Sequence, residues 1–341
     1  MKLLIFTVAG PGDSDISQDA AFNIIELNPN IDINYVIINN SGEEIQLKFP
    51  FLENLSVVEG IPNNGQYPPS VHHALAINYF LATIIASDYD YYLLLDPDVI
   101  QIQLNAISSI VSTMISANAS VYSFPWHLKW YSKFRSRTSP HFMLFSRHVL
   151  ETKILNFSPS LREKPLAARF LSILNSYRLI IKSNSQRTTS RKSKHVNEKA
   201  LNLPFHIALF KIISSFFISR LAVNSARDTG YKNSYRFFEL KGLKVLIGGM
   251  FISSRSMQNI YHLRFNFLAM LEKNLIPNFL SFIPSNEEYI YSDKYDSLSN
   301  QFNLEIMSID FKSATFVHLR KFNQTQSINN IKSIQIEFEQ H

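Results

Sequence analysis

The 341-residue chain contains no cysteine. That absence rules out a disulfide framework, a thiolate metal site and a cysteine nucleophile, and it fits a reducing compartment. Glycine is scarce, with nine residues in all, and the amino-terminal cluster Gly10-Pro11-Gly12-Asp13 matches neither the Gly-x-Gly-x-x-Gly fingerprint nor a Gly-Lys-Ser/Thr phosphate loop. It reads as a tight turn. No apolar stretch reaches the roughly 20 residues of a membrane span. The short run Leu3 to Ala9 lies behind a single Lys and runs into that turn instead of a small-residue cleavage site, so it reads as a first β-strand and not as a signal peptide. Internal repeats, coiled-coil heptads and nucleic-acid modules are also missing.

What is present is enough apolar material for a packed core. Hydrophobic residues make up 46% of the chain, sufficient for one large α/β domain with an appended segment or for two small domains. The formal net charge of +6 favours polyanionic partners, and nucleotide diphosphates, anionic lipid surfaces and nucleic acid all qualify on charge alone.

Apolar patterning predicts strand one over residues 2–9, a helix over 17–27 that Pro29 terminates, and strand two over 33–38, a β-α-β spacing that implies a parallel sheet with a right-handed crossover. A second helix is expected from Val71 to about Ala86, capped by Ser70, with His72 and His73 in its first turn. A helix amino terminus attracts phosphate, so either histidine could approach a diphosphate; equally, one ring could pack and the other face solvent. Tyr91 to Leu95 is a continuous apolar run typical of a strand buried on both faces, and it stops at Asp96-Pro97-Asp98. Residues two apart on an extended chain point the same way, so both carboxylates can reach one ligand. Two hard oxygen donors at a strand's carboxyl end suit Mg²⁺ or Mn²⁺ that also holds substrate phosphates. The competing reading is a solvated turn, since Asp and Pro are ordinary turn residues. A helix over 104–118 and a buried strand over 121–124 follow. Next come Trp126, His127, Trp130 and, a few residues on, His141, an aromatic and polar set suited to stacking on a sugar acceptor, or else a plain aromatic core edge.

The block of Pro68-Pro69-Ser70, helix, strand and Asp96-Pro97-Asp98-Val99 resembles the nucleotide-sugar-binding half of GT-A fold glycosyltransferases, particularly the family 2-like enzymes, and the likeness runs from Lys2 to about Val149. The resemblance implies an α/β fold with a mostly parallel, Rossmann-like sheet flanked by helices. It implies that Asp96 contacts ribose or metal-bound water and Asp98 ligates the metal. The family's second strand usually ends in an Asp that helps hold the base or ribose; here Asn39 stands in that place, able to hydrogen-bond but uncharged. Arg227-Asp228-Thr229-Gly230 resembles a family Asp-Thr-Gly element and makes Asp228 the first candidate for catalytic base, ahead of Glu287 and Glu288, with an Asx-turn as the alternative. GT-A enzymes commonly bring a carboxyl-terminal histidine back to the metal or the diphosphate, and the resemblance gives that role to His318 at the end of an apolar strand.

Composition changes near residue 178. Arg178 to Lys199 carries seven basic residues and a single acid, Glu198, and Pro204 to Val223 follows as an apolar helix candidate. The pair reads as a basic and helical insertion that either packs and is solvated in the ordinary way or rests on an anionic membrane surface. The expected division is a nucleotide-sugar-binding half over 1–150, an insertion over 151–224, and an acceptor-side and carboxyl-terminal part of the same catalytic domain over 225–341.

The resulting expectation is a cytoplasmic hexosyltransferase, peripheral at the inner face of a membrane or free of it, of the kind that serves polysaccharide biosynthesis. It would use Mn²⁺ or Mg²⁺ and a nucleotide-diphosphate sugar, with a saccharide or lipid-linked acceptor and no nucleic acid partner. Two rivals stand beside it. A nucleotidyltransferase has a similar sheet and paired Asp residues but typically a Gly-rich loop and a Lys after strand one, and no such Lys follows Gly12. The other is a non-enzymatic basic protein that binds membrane or nucleic acid.

Overall fold

The computed structural model describes residues 1–62, 69–84, 86–125, 139–158, 241–252, 289–292, 295, 298–299, 304–319 and 338. Those residues belong to the unit made of Met1–Pro159 and Asp228–His341. The basic stretch 178–199, the apolar stretch 204–223, and the residues Trp126, His127, Trp130, Asp228, Glu287 and Glu288 lie outside the described residues. Among the described residues no helix is long and apolar enough to cross a membrane.

The first half of the chain alternates strand and helix: β1 Lys2–Ala9, α1 Ser14–Glu26, β2 Asp32–Asn39, β3 Leu55–Glu59, α2 Pro69–Thr83, β4 Tyr91–Leu95, β5 Val99–Gln101, α3 Ala106–Ser116, β6 Val121–Ser123, β7 Phe142–Ser146 and α4 Arg147–Glu151. Five short strands follow: β8 Val245–Ile247, β9 Gly249–Ile252, β10 Tyr289–Tyr291, β11 Leu304–Ser308 and β12 Phe316–Leu319. They form two sheets. A seven-stranded sheet runs in the order β3-β2-β1-β4-β7-β6-β8, parallel through β3, β2, β1 and β4, antiparallel where β7 meets β4 and β6, and parallel again between β6 and β8. A second sheet of five strands, β10-β9-β11-β12-β5, is mostly antiparallel. The architecture is the expected α/β fold with a mainly parallel central sheet flanked by helices.

The central strands are apolar on both faces because both faces are covered. In β1, Leu3, Ile5 and Ala9 join one core cluster while Leu4, Phe6 and Val8 join another. In β4 the same alternation sends Leu93 and Leu95 one way and Tyr92 and Leu94 the other, all within 1% of complete burial. A third cluster joins Ile16 and Ala20 of α1 to Ile100, Leu304, Ile306, Val317 and Leu319, filling the space on the second sheet. α1 begins three residues before the expected Ser17, and α2 begins at Pro69, which places Ser70 inside the first turn of the helix and not at its cap. Proline at a first helical position has its φ already set and lacks only an N–H that would be unpaired there. β3, a short edge strand with an amphiphilic pattern, is an element the sequence pattern does not announce.

One feature of this core fixes the site. After β4 the chain leaves the first sheet and enters the second as β5, and buried amides hold that strand in place. Its Gln101 N–H donates to Asn23 Oδ1 of α1 at 2.9 Å, while Asn28 Nδ2 donates to Gln101 Oε1 at 2.8 Å. Asn28 Oδ1 in turn accepts from the Ile107 N–H at the start of α3. Buried polar groups are tolerated when paired in this way, and here they fix the strand that follows Asp98.

Candidate metal centre

Three chain segments converge where β4 ends. The first is the turn itself: the Val99 N–H donates to the Asp96 carbonyl at 3.2 Å, closing a four-residue turn with Pro97 at its second position, which the fixed φ of proline favours. The turn carries the chain from one sheet to the other and leaves Asp96 and Asp98 with side chains 16% and 28% exposed. The second segment is the approach to β7. β7 pairs antiparallel with β4, so His141, one residue before it, falls beside Asp96; the Asp96 N–H donates to the His141 carbonyl at 2.9 Å, and His141 Nδ1 is hydrogen-bonded to Asp96 Oδ2. The third is β12, whose His318 is in register with Val99 of β5 and whose Leu319 N–H donates to the Asp98 carbonyl at 2.9 Å.

This pairing brings His318 Nε2 within 3.1 Å of Asp98 Oδ1 and 3.9 Å of Asp96 Oδ2. The two imidazoles lie against each other, ring centroids 4.3 Å apart. Phe124, Phe142 and Phe316 pack together beneath, with Phe142 and Phe316 at 4.8 Å, so the strands carrying the two histidines share an apolar floor. Ligand atoms of Asp96, His141 and His318 all lie within 4.8 Å of one another. Carboxylate and imidazole donors in one partly enclosed cluster fit a divalent first-row ion.

The electrostatics agree with that donor set. Burial alone would raise the Asp96 pKa. The charge and hydrogen bond of His141, followed by the charges of His318 and His73, outweigh it and hold the carboxyl well below the usual range, so it is ionised. His73, the fifth residue of α2, moves the other way: burial favours its neutral form, opposed in part by the negative charge of Asp96 and reinforced by neighbouring His72. Asp13 lies within electrostatic reach of both metal-site aspartates. Burial raises its pKa, the Gly10 N–H that donates to its Oδ2 at 3.0 Å opposes that, and the charges of Asp98 and Asp96 push it up further.

The other sequence-predicted residues divide clearly. Asn39 sits at the end of β2, but its amide is occupied by the turn: Nδ2 donates to the Glu43 carbonyl and to Glu59 Oε1, while Oδ1 accepts from the N–H and the Oγ of Ser41. His72 is buried, with its ring bonded to the Ile61 carbonyl and its own carbonyl accepting from Asn40 Nδ2. Of the adjacent pair, His73 is therefore the one that interacts with Asp96. Beyond the ends of β1 and β2 opens a cavity of about 440 Å³ lined by Gly12, Asp13, Ser14, Ser41, Glu43 and neighbours, with four carboxylates and no Lys or Arg among its described lining residues.

Two residues of the site carry roles the sequence does not reveal. His141, expected on an acceptor platform, lies on the Asp96 carboxylate. Glu305 of β11 lies directly across from His318 in the β11–β12 ladder, with Oε2 3.0 Å from His318 Nδ1. A lone acid between Leu304 and Ile306 in an otherwise apolar strand was the available signal.

Neither protein-family models nor curated sequences match the chain. Among solved structures it is similar to galactosyltransferase LgtC in complex with donor and acceptor sugar analogs (14% identity, 43% of this chain and 58% of that one, TM-score 0.32). It is also similar to S. aureus TarS (12% identity, 48% and 52%, TM-score 0.35). A third likeness is to the mannosyltransferase PcManGT from Pyrobaculum calidifontis in complex with GDP-Man and Mn²⁺ (10% identity, 81% and 88%, TM-score 0.38). The match spans little more than half the length of the first two. The chain thus has an α/β fold with a mainly parallel central sheet flanked by helices, a carboxylate pair at the end of its central strand and a histidine strand returning beside that pair.

Proposed function

We propose that the chain is a metal-dependent glycosyltransferase that moves a sugar from a nucleotide-diphosphate donor to a hydroxyl of a saccharide or lipid-linked acceptor. The observation that carries this reading is the convergence of Asp96, His141 and His318, with Asp98 3.1 Å from His318 Nε2, at the carboxyl end of the central strand. Asp96, Asp98 and His318 would hold the ion, with His141 in the same cluster. When bound there, a divalent cation supplies the positive charge that a departing nucleoside diphosphate requires.

The chain's own groups suit the remaining tasks. His73, favoured in its neutral form at the start of a 15-residue helix, lies on the Asp96 side of the site and can offer a hydrogen bond to a phosphate oxygen. The acid-lined cavity beyond β1 and β2 suits hydroxyl and N–H donors such as those of a ribose and a base, and would repel phosphate. That charge distribution speaks against the nucleotidyltransferase alternative, which wants a cation after strand one. Removal of the acceptor's proton is assigned to Asp228, and the basic stretch 178–199 with the apolar stretch after it is offered as a contact for an anionic bilayer.

Calorimetric titration of the purified protein with a panel of nucleotide-diphosphate sugars, in Mn²⁺ and in chelator, tests the reading. At least one donor should bind about tenfold or more tightly with Mn²⁺, and Mn²⁺ should outperform Mg²⁺ because the cluster mixes imidazole with carboxylate. Binding of every donor that is indifferent to the metal would remove the proposal.

The pH dependence has a definite sign. Asp96 is already ionised, so it does not limit metal binding at neutral pH. Imidazoles must give up a proton to ligate, and an ordinary one titrates near about 6.5. Mn²⁺ affinity is therefore expected to weaken as pH falls through the range in which the site's histidines take up protons, by up to about tenfold per unit per histidine. Affinity measured by electron paramagnetic resonance of free Mn²⁺ checks this, and an affinity that strengthens between pH 7 and 5.5 would contradict it.

A further inference from the structure

Glu305 lies against His318 on the ring nitrogen that does not face the aspartates. We infer that Glu305 is the positioning residue of the centre: its buried carboxylate fixes the tautomer and the ring plane of His318, so that Nε2 is the nitrogen presented to the ion. The inference rests on the metal reading and adds a residue that touches neither ion nor substrate.

The starting point is cost. Glu305 is 3% exposed, in a strand whose neighbours Leu304, Ile306 and Met307 are buried apolar residues. A carboxylate in such a place is expensive unless its oxygens are hydrogen-bonded. Strand alternation gives it a direction. Glu305 and Met307 share one face of β11, and the antiparallel register sets them against His318 and Phe316 of β12. Phe316 belongs to the floor under the two histidines, so Glu305 approaches His318 along the sheet surface that supports the site.

The contact then decides the proton's place. Glu305 Oε2 is 3.0 Å from His318 Nδ1. In the inferred arrangement Glu305 accepts and Nδ1 carries the hydrogen, which leaves the Nε2 lone pair for a cation held by the aspartates. The other ring nitrogen, Nε2, is the one that faces Asp98 at 3.1 Å and Asp96 at 3.9 Å. Glu305 and the two aspartates therefore meet different nitrogens of one ring, the arrangement in which an outer carboxylate would orient a ligating histidine and raise its basicity. Glu305 is on the far side of the ring from the two aspartates and does not serve as a ligand in this arrangement.

A merely structural role for Glu305 would hold the two strands together and leave metal binding alone. The test separates the two. In Glu305→Gln, whose side chain has the same shape, the Mn²⁺ dissociation constant is expected to rise about 10- to 100-fold, with the circular dichroism spectrum and the melting transition preserved. Glu305→Asp, which cannot span the gap, should weaken Mn²⁺ as well. The independent readout is the wild-type ring: nitrogen NMR of ¹⁵N-histidine-labelled protein should show the His318 signal as the Nδ1-protonated form. A folded Glu305→Gln with wild-type Mn²⁺ affinity, or a wild-type His318 protonated on Nε2 alone, would overturn the inference while leaving the metal centre standing. Wild-type protein that binds no divalent ion would instead remove the metal reading and this inference with it.

Discussion

In Asp98→Asn, the metal-dependent sugar transfer proposed for this chain is expected to fall by about two to three orders of magnitude, the loss expected when a main electrostatic contact to a developing charge is removed. The substitution is nearly isosteric, yet it replaces a charged carboxylate by a neutral amide with one oxygen. Asp98 is the most exposed of the site's carboxylates, at 28%, and its backbone is held by the turn and by the Leu319 N–H, neither of which involves the side chain. The fold should therefore stay intact. Initial rates across a Mn²⁺ series, with melting curves in parallel, check both halves. Turnover equal to wild type at every Mn²⁺ concentration would remove Asp98 from the site.

His318→Ala should be as damaging and in two ways at once. The ring is 2% exposed and bridges Glu305 on one side to the aspartates on the other. Its loss takes a donor from the metal position, so the Mn²⁺ concentration giving half-maximal rate should rise by about 100-fold or more, beyond what loss of an outer-sphere group costs. It also deprives the buried Glu305 carboxylate of a hydrogen-bond donor, which should lower stability by about 2 kcal/mol or more. From the sequence alone the metal effect would stand by itself; the stability effect comes from burial, which only the structure shows. A variant that loses melting temperature but keeps its metal requirement would make His318 a packing residue.

The contrast between what the sequence shows and what it hides has a physical origin. Tyr91 to Asp98 is legible because a strand buried on both faces writes a continuous apolar run and a turn with two carboxylates breaks it. His318 is legible as the end of a late apolar strand. Its partner Glu305 is only 13 residues away, yet their contact depends on the β11–β12 register, which alternation alone does not set. His141 follows Trp126 and Trp130 closely along the chain, a proximity that in sequence suggests a sugar platform; its place beside Asp96 comes from the antiparallel pairing of β7 with β4, which the sequence does not reveal. Long-range pairing with β12 is also what makes Val99–Gln101 a strand, since its three residues carry no pattern of their own in the sequence. Asn39 and His72 also have good hydrogen-bonding chemistry, and both are engaged within the protein, Asn39 by the turn after β2 and by Glu59, His72 by the Ile61 carbonyl.

The central claim is that Asp96, Asp98 and His318, with His141 in the same cluster, form a divalent metal centre for a nucleotide-diphosphate donor. Its most direct test is anomalous scattering at the manganese edge from crystals grown with Mn²⁺ and a nucleoside diphosphate. The expected result is a single strong peak about 2.0–2.3 Å from the carboxylate oxygens and His318 Nε2, with phosphate density against it. A Mn²⁺ peak elsewhere, or nucleotide bound with no metal at this cluster, would contradict the account.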